Sequence, residues 1–237
     1  MTMTEEKLLT WRIAQVVDES PTVRSLYLRP QGARPSFVAG QYLTVQIRGL
    51  DPVEGKSYSV ASAPHEELVR ISVKAIGSFS HALRSMHVGD ELITTPPYGF
   101  FHPEPDDEGA LVCIAGGIGI TPIHSIVADL AERQDARPLR VCYSVQTEQE
   151  LVFFDKLLES VARHPDAHLK TFITRQDTVA APHAQGRMRA DDVLGFVPEV
   201  ATAQFFVCGS SQFTRDLWQT LRTAGLRPEQ IYTEGFF

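Results

Sequence analysis

The sequence predicts an antiparallel β domain over residues 1–105, followed by a doubly wound parallel α/β domain over residues 106–237. Three observations predict it. The early residues alternate apolar and polar at period two between Pro and Gly breaks. The later residues alternate short apolar runs with helical segments, the rhythm of a parallel sheet with helices on both faces. Between them PPYGFFHPEPDDEG, residues 96–109, is rich in Pro, Gly and acid and reads as a linker.

In the first domain LLTWRIAQVVD, TVRSLYLRP, QYLTVQIRG and VRISVKAIG read as strands, and SHALRSM reads as a helix. Pro21, Pro30, Pro35, Gly40, Gly49, Pro52, Pro64 and Gly89 punctuate them. Short strands spaced by turns suggest a barrel or a sandwich. In the second domain ALVCIA, LRVCYSV, AHLKTFIT, QFFVCG and IYTEGFF read as strands. The helices are TPIHSIVADLAER, EQELVFFDKLLESVAR, RADDVLGF and SQFTRDLWQTLRTAG. Thr121 suits the N-cap of the first of these, with Pro122 at its first helical position, and Gly225 ends the last.

At 43% hydrophobic and 22% charged residues the composition is that of a globular protein. The formal net charge of -7 argues against a nucleic-acid partner. Residues 1–105 carry 10 Lys+Arg against 11 Asp+Glu, and residues 106–237 carry 12 against 18, so the acidity lies in the second domain. No apolar run approaches the ~20 residues of a membrane span, so the expectation is a cytoplasmic protein with no membrane segment. Cys113, Cys142 and Cys208 form neither a disulfide framework nor an iron–sulfur spacing, and the histidines show no metal spacing.

CIAGGIGITP joins the first strand of the second domain to its first helix. Gly116, Gly117 and Gly119 allow a sharp turn and close backbone approach, and the helix start aims free N–H groups into the same space. That is a site for a pyrophosphate. An isolated glycine triplet is also what any tight βα turn needs. A strand before it, a helix after it and further βα units raise the dinucleotide reading. The pattern is not the usual G-x-G-x-x-G, and CYSVQ at the end of the second strand lacks the acidic residue that holds an adenosine ribose.

Six marks, in order along nearly the whole chain, resemble the ferredoxin–NADP(+) reductase superfamily. They are Lys56-Ser57-Tyr58-Ser59; Val73-Lys74 with Gly77-Ser78-Phe79-Ser80; Pro97-Tyr98-Gly99-Phe100-Phe101; Gly116 to Pro122 including Thr121; Cys208-Gly209; and Glu234-Gly235-Phe236. The resemblance implies an N-terminal antiparallel Greek-key β-barrel that binds a flavin and a C-terminal α/β domain that binds a nicotinamide.

It also implies roles. Tyr58 would lie against the flavin ring, with Ser59 near its N5, and Ser57 belongs to the same signature. Lys56 would hold a flavin phosphate where the family has arginine, a point charge in place of a bidentate fork. Val73, Lys74, Gly77, Ser78 and Ser80 would form the phosphate segment, with Phe79 at the adenine. A two-phosphate site implies FAD over FMN. Cys208 and Glu234 would stand near the nicotinamide C4, and Ser59, Cys208, Glu234 and Phe236 form the expected catalytic set. Phe236 or Phe237 would cover the flavin. Gly209 completes the nicotinamide site with the glycine loop.

Thr174-Arg175 ends the third strand of the second domain, where NADP-using members hold the 2′-phosphate, so NADPH is favoured over NADH. Arg187 and Arg189 are candidates for a second cation. The expected partner is a separate acceptor protein: a ferredoxin, a flavodoxin or an oxygenase component. The alternative is an NAD(P)H:flavin reductase that uses free flavin as a substrate. A nicotinamide- or flavin-sensing module would bind without turnover. The sequence gives no oligomeric state.

Overall fold

The computed structural model describes residues 8–47, 49–105 and 108–236. Its first sheet contains β1 (Leu9–Ser20), β2 (Val23–Pro30), β3 (Tyr42–Gln46), β4 (Lys56–Ser59), β5 (Val69–Lys74) and β6 (Glu91–Thr94). These pair antiparallel in the order β4-β3-β6-β1-β2-β5. A bridge between Val60, just past β4, and Ile71 on β5 closes the sheet into a barrel. β6 sits between β3 and β1, the long crossing of a Greek key. Period-two alternation fills the barrel. On β5 Val69, Ile71 and Val73 enter the core, while Arg70, Ser72 and Lys74 point outward. Trp11 is buried at no polar cost, because its indole N–H donates to Thr94 Oγ1 at 2.8 Å. A short helix, α1 (Ser78–Arg84), follows β5.

The second sheet is parallel. It contains β7 (Leu111–Gly116), β8 (Leu139–Val145), β9 (Ala167–Ile173), β10 (Ala184–Gln185), β11 (Gln204–Ser210) and β12 (Ile231–Phe236), in the order β10-β9-β8-β7-β11-β12. Four helices accompany it: α2 (Ile120–Glu132), α3 (Phe154–Arg163), α4 (Ala190–Leu194) and α5 (Ser211–Thr223). The order reverses between β7 and β11, which is where doubly wound sheets open a ligand crevice at their carboxyl ends. Eleven of the thirteen residues of α2 are buried, because this helix is packed between its own sheet and the barrel.

Three local readings are corrected. Thr121 is not the N-cap of α2. A 3-10 turn over Gly117–Gly119 runs straight into the helix, Gly119 becomes the cap, and the Thr121 hydroxyl donates to the Ile118 carbonyl at 3.0 Å. Pro122 therefore sits third, still among the positions whose N–H has no helical partner. The helix expected over 148–163 begins only at Phe154, because Phe153 takes a left-handed φ of 62° that breaks it from the turn at Glu148–Glu150. The stretch 96–109 is no free linker in its first half. Tyr98 exchanges backbone hydrogen bonds with Tyr42 at 2.8 and 2.9 Å, and Phe101 is buried against the second domain. The expected boundary after residue 105 falls beside Asp106 and Asp107, outside the described residues. Among the described residues no helix is long and apolar enough to cross a membrane.

Candidate active site

A cleft of about 490 Å³ lies between the two sheets. One wall comes from the barrel: Tyr42 on β3, the whole of β4, and Ser72 and Lys74 on β5, with Ile76 and Ser80 beyond. The other comes from the α/β domain: Ile118 and Thr121 at the head of α2, and Glu234, Gly235 and Phe236 at the end of β12. Residues far apart in sequence meet here because β12 runs parallel to β11 and β7, so its carboxyl end lies on the same edge of the sheet as the head of α2.

On the barrel wall Lys56 is exposed and Tyr58 is half-buried. Burial pushes the Tyr58 phenol up to about 12, so it stays neutral. Ser59 is buried, and its Oγ has no hydrogen-bond partner. On the α/β wall, Glu234 is largely buried. One carboxylate oxygen, Oε2, has no partner, and burial pushes the acid up to about 7. Two orphaned polar atoms on facing walls are a costly arrangement unless a ligand satisfies both. A flat ring with hydrogen-bonding edges, laid on Tyr58, fits this donor set.

The phosphate segment is partly spent on itself. Ser80 Oγ accepts from the Ile76 and Gly77 amides at 2.9 and 3.0 Å and donates to the Gly77 carbonyl at 2.9 Å. Exposed Ser78 and the cleft-lining Lys74 remain to meet a phosphate. The side chains of Val73 and Phe79 turn into the barrel core, so Phe79 offers no ring to an adenine, a correction to that expectation.

The glycines at the head of α2 and the end of β11 divide by cause. A Cβ on Gly119 would run into the Cys208 carbonyl, and Cβ atoms on Gly116 and Gly209 would meet the Phe213 ring at 2.8 and 2.6 Å. These three are required by the protein's own packing. Gly117 differs: it has φ +54° and faces open space, so its backbone is free to approach a ligand. Cys208 pairs in register with Glu234, yet its side chain belongs to the α/β core and does not line the cleft. Burial, with Glu234 beside it, pushes the thiol well above its ordinary range. Phe236 lines the cleft, and Phe237 lies outside the described residues.

Thr174 and Arg175 follow β9, and their backbone amides carry its pairing past the end of β8, donating to the Val145 and Gln146 carbonyls at 3.0 and 2.8 Å. Thr174 Oγ1 donates to the Val145 carbonyl at 3.1 Å, and the exposed Arg175 reaches Gln146 Oε1 at 3.5 Å. β10 pairs with β9 and ends two residues before Arg187, so a second cation lies close along the chain to this corner. The sequence reading missed Tyr42. It lies opposite Ser59 in the β3–β4 ladder and packs on Tyr98 with ring centroids 4.4 Å apart and planes tilted by 55°. Strand alternation puts Tyr42 and Ser59 on one face, a signal that could have found it.

Residues 113–218 match the family model described as the oxidoreductase NAD-binding domain. A flavohemoprotein from Chromobacterium violaceum is 30% identical over 245 residues, covering 95% of this chain and 60% of its own length. Reductase component 1 of terephthalate 1,2-dioxygenase from Comamonas sp is 30% identical over 222 residues, covering 92% of this chain and 65% of its own. The chain thus spans less than two thirds of these curated relatives. A ferredoxin NADP+ reductase from Neisseria gonorrhoeae, solved with bound FAD and NADP, superposes with a TM-score of 0.81. It is 25% identical over 98% of this chain and 100% of its own.

Proposed function

The chain belongs to the ferredoxin–NADP(+) reductase-like family of oxidoreductases, and on that premise we propose that it oxidises NAD(P)H through bound FAD and passes the electrons to a separate acceptor protein. The observation that carries the reading is the pairing of Ser59 Oγ and Glu234 Oε2 as buried, unpartnered atoms on facing walls of one cleft. When bound, the flavin would supply a ring that takes hydride from the nicotinamide and releases electrons one at a time.

The chain's own residues do the rest. Tyr58 gives the ring a flat apolar face at little entropic cost. Lys56, Lys74 and Ser78 meet the phosphates. Gly117 lets the nicotinamide pyrophosphate come against backbone at the head of α2. Phe236, which lines the cleft, would cover the ring face that the nicotinamide needs and would move aside for it. Glu234, with its acid near neutrality, can hold or give up a proton at the working pH, with Ser59 as the facing hydroxyl. With both rings held between the two walls, the cleft would exclude water and set their separation. Thr174, Arg175 and Arg187 are the ground for favouring NADPH, because arginine matches a phosphate dianion. The relatives include an oxygenase reductase component, which supports an oxygenase, ferredoxin or flavodoxin as acceptor.

The test is a visible spectrum of the gel-filtered protein, followed by anaerobic addition of NADPH and, separately, NADH. The expected result is a retained flavin spectrum that bleaches faster with NADPH. Faster bleaching with NADH removes Arg175 from the selection of cofactor. A colourless protein that oxidises NAD(P)H only with added flavin selects the free-flavin reductase, which the exposed single charge of Lys56 favours. No oxidation under either condition overturns the reading.

A further inference from the structure

Three of the elements that line the cleft, β4, β5 and α2, meet again one step deeper. β4 contributes Lys56 to Ser59 to the cleft and continues into Ala61 and Ser62. β5 contributes Lys74 and Ser72, and its next outward residue is Arg70. α2 is preceded by Ile118 and contributes Thr121, and one helical turn on are His124 and Ser125. These second positions form a single polar knot at the seam between the domains.

The contacts are specific. Arg70 is fully buried. Its Nη2 donates to the Ala61 carbonyl at 2.8 Å, and its Nη1 donates to Tyr27 OH at 3.3 Å. The guanidinium lies 4.2 Å from the centroid of Phe153. His124 Nδ1 is 2.9 Å from the same Ala61 carbonyl and 3.0 Å from Arg70 Nη2. Burial, then Arg70 beside it, holds His124 well below its ordinary range, so it is neutral. With its proton on Nδ1, both donors share the two lone pairs of one carbonyl, and Nε2 is left as a bare acceptor, cheaper than an orphaned N–H. Ser125 Oγ donates to the Ser62 carbonyl at 2.7 Å. Lys156 on α3 donates to Tyr27 OH at 3.0 Å.

This is a poor way to gain stability. Among the described residues no carboxylate pairs with Arg70, and its Nε has no partner, so a buried cation is held on neutral acceptors and ring faces. Phe153, which packs on both Arg70 and His124 (ring centroids 4.8 Å apart for the latter), sits at a left-handed φ that a bulky residue reaches only under strain. What the knot does achieve is register. It ties the carbonyls just past the flavin strand to a helix whose head faces the same cleft.

Resting on the reading above, we propose that Arg70 and His124 are positioning residues for hydride transfer: together they clamp α2 to the Ala61–Ser62 backbone and thereby set the distance between the nicotinamide and flavin subsites. Neither side chain touches the cleft, and each acts through the element that it holds. An error of about 1 Å in such a gap costs roughly a hundredfold in rate.

The test uses the full chain loaded with FAD, with Arg70→Met as the first variant and His124→Ala as the second. Flavin reduction is followed by anaerobic stopped flow at saturating NADPH or NADH, normalised to bound flavin, with protiated and C4-deuterated nicotinamide. Both variants are expected to lose at least tenfold in the limiting reduction rate, while the nicotinamide dissociation constant changes less than threefold. The charge-transfer absorbance of the nicotinamide–flavin pair is expected to weaken in step. A purely structural role would lower Tm or flavin content and leave the rate per bound flavin intact. That outcome overturns the clamp. If Arg70→Met does not fold, His124→Ala decides alone. Wild-type protein whose flavin neither nicotinamide reduces overturns the functional reading and the clamp with it, whereas normal wild-type and normal variant rates overturn the clamp only.

Discussion

The two walls of the cleft are built on different principles. The barrel wall presents side chains: Lys56, Tyr58, Ser59 and Lys74 each bring a group of their own, and the backbone behind them is ordinary strand. The α/β wall sets its lining side chains, Ile118, Thr121, Glu234 and Phe236, on a frame of close-packed backbone. Its glycines bring the head of α2 close to the end of β11, and three of them leave no room for a methyl group. One wall should therefore be tunable and the other steric. A substitution on the barrel side should change what binds, and one on the glycine side should change whether the chain folds.

The sharpest way to break this comparison is to make one substitution at two glycines two residues apart. Gly119→Ala drives a methyl into the Cys208 carbonyl and should cost about 3 kcal/mol, lowering Tm by roughly 10 °C. Gly117→Ala faces open space at φ +54° and should cost only about 1 kcal/mol. Thermal unfolding followed by circular dichroism reads both, and equal losses would show that the wall is not divided as described.

Glu234 is the titratable carboxyl among the side chains of the second wall. Its folded value of about 7 lies above the ordinary 4.5. Between those values the folded chain keeps a proton that the unfolded chain releases, so the contribution of Glu234 to stability is full below pH 4.5 and is lost as pH rises through 7. Glu234→Gln should therefore be more stable than the parent at pH 8, by about 3 kcal/mol at most, and no more stable near pH 4.5. Melting curves at the two pH values, without added flavin or nicotinamide, check the sign.

On the barrel wall effects should appear in binding. Tyr58→Ala should raise the flavin dissociation constant about tenfold with little change in Tm, as read by equilibrium dialysis. Smallest of all, Lys56→Arg should tighten flavin binding about threefold by adding a second hydrogen bond to a phosphate. A looser complex would mean that Lys56 does not face a phosphate.

Much of this was legible in the sequence because the information is local. The long strands carry their period in their own residues, and β8 over Leu139–Val145 matches LRVCYSV residue for residue. β4, β6 and β10 were not among the strands read, since KSYS, ELIT and AQ are too short and mixed to carry a period. Glu234 and Phe236 were reached through the resemblance, and the structure brings both to the cleft. Arg70 was not singled out. Alternation in VRISVK marks it as outward-facing, and no pattern within one strand reveals that outward here means the flank of α2. Phe79 fails for the complementary reason. Its neighbours suggest a ligand, while its own aromatic ring goes where apolar surface goes, into the core.

Phe101 carries a consequence of another kind. Its ring leaves the barrel segment and meets Phe206 of the second sheet edge-on at 5.6 Å, in an apolar cluster that also holds Val23, Ala39 and Ala61 from the barrel side. The break in sequence grammar is thus not a break in cooperativity. Separating the halves would strip apolar area from both, so a backbone nick between Phe101 and Leu111 should leave two fragments that travel as one particle and melt as one.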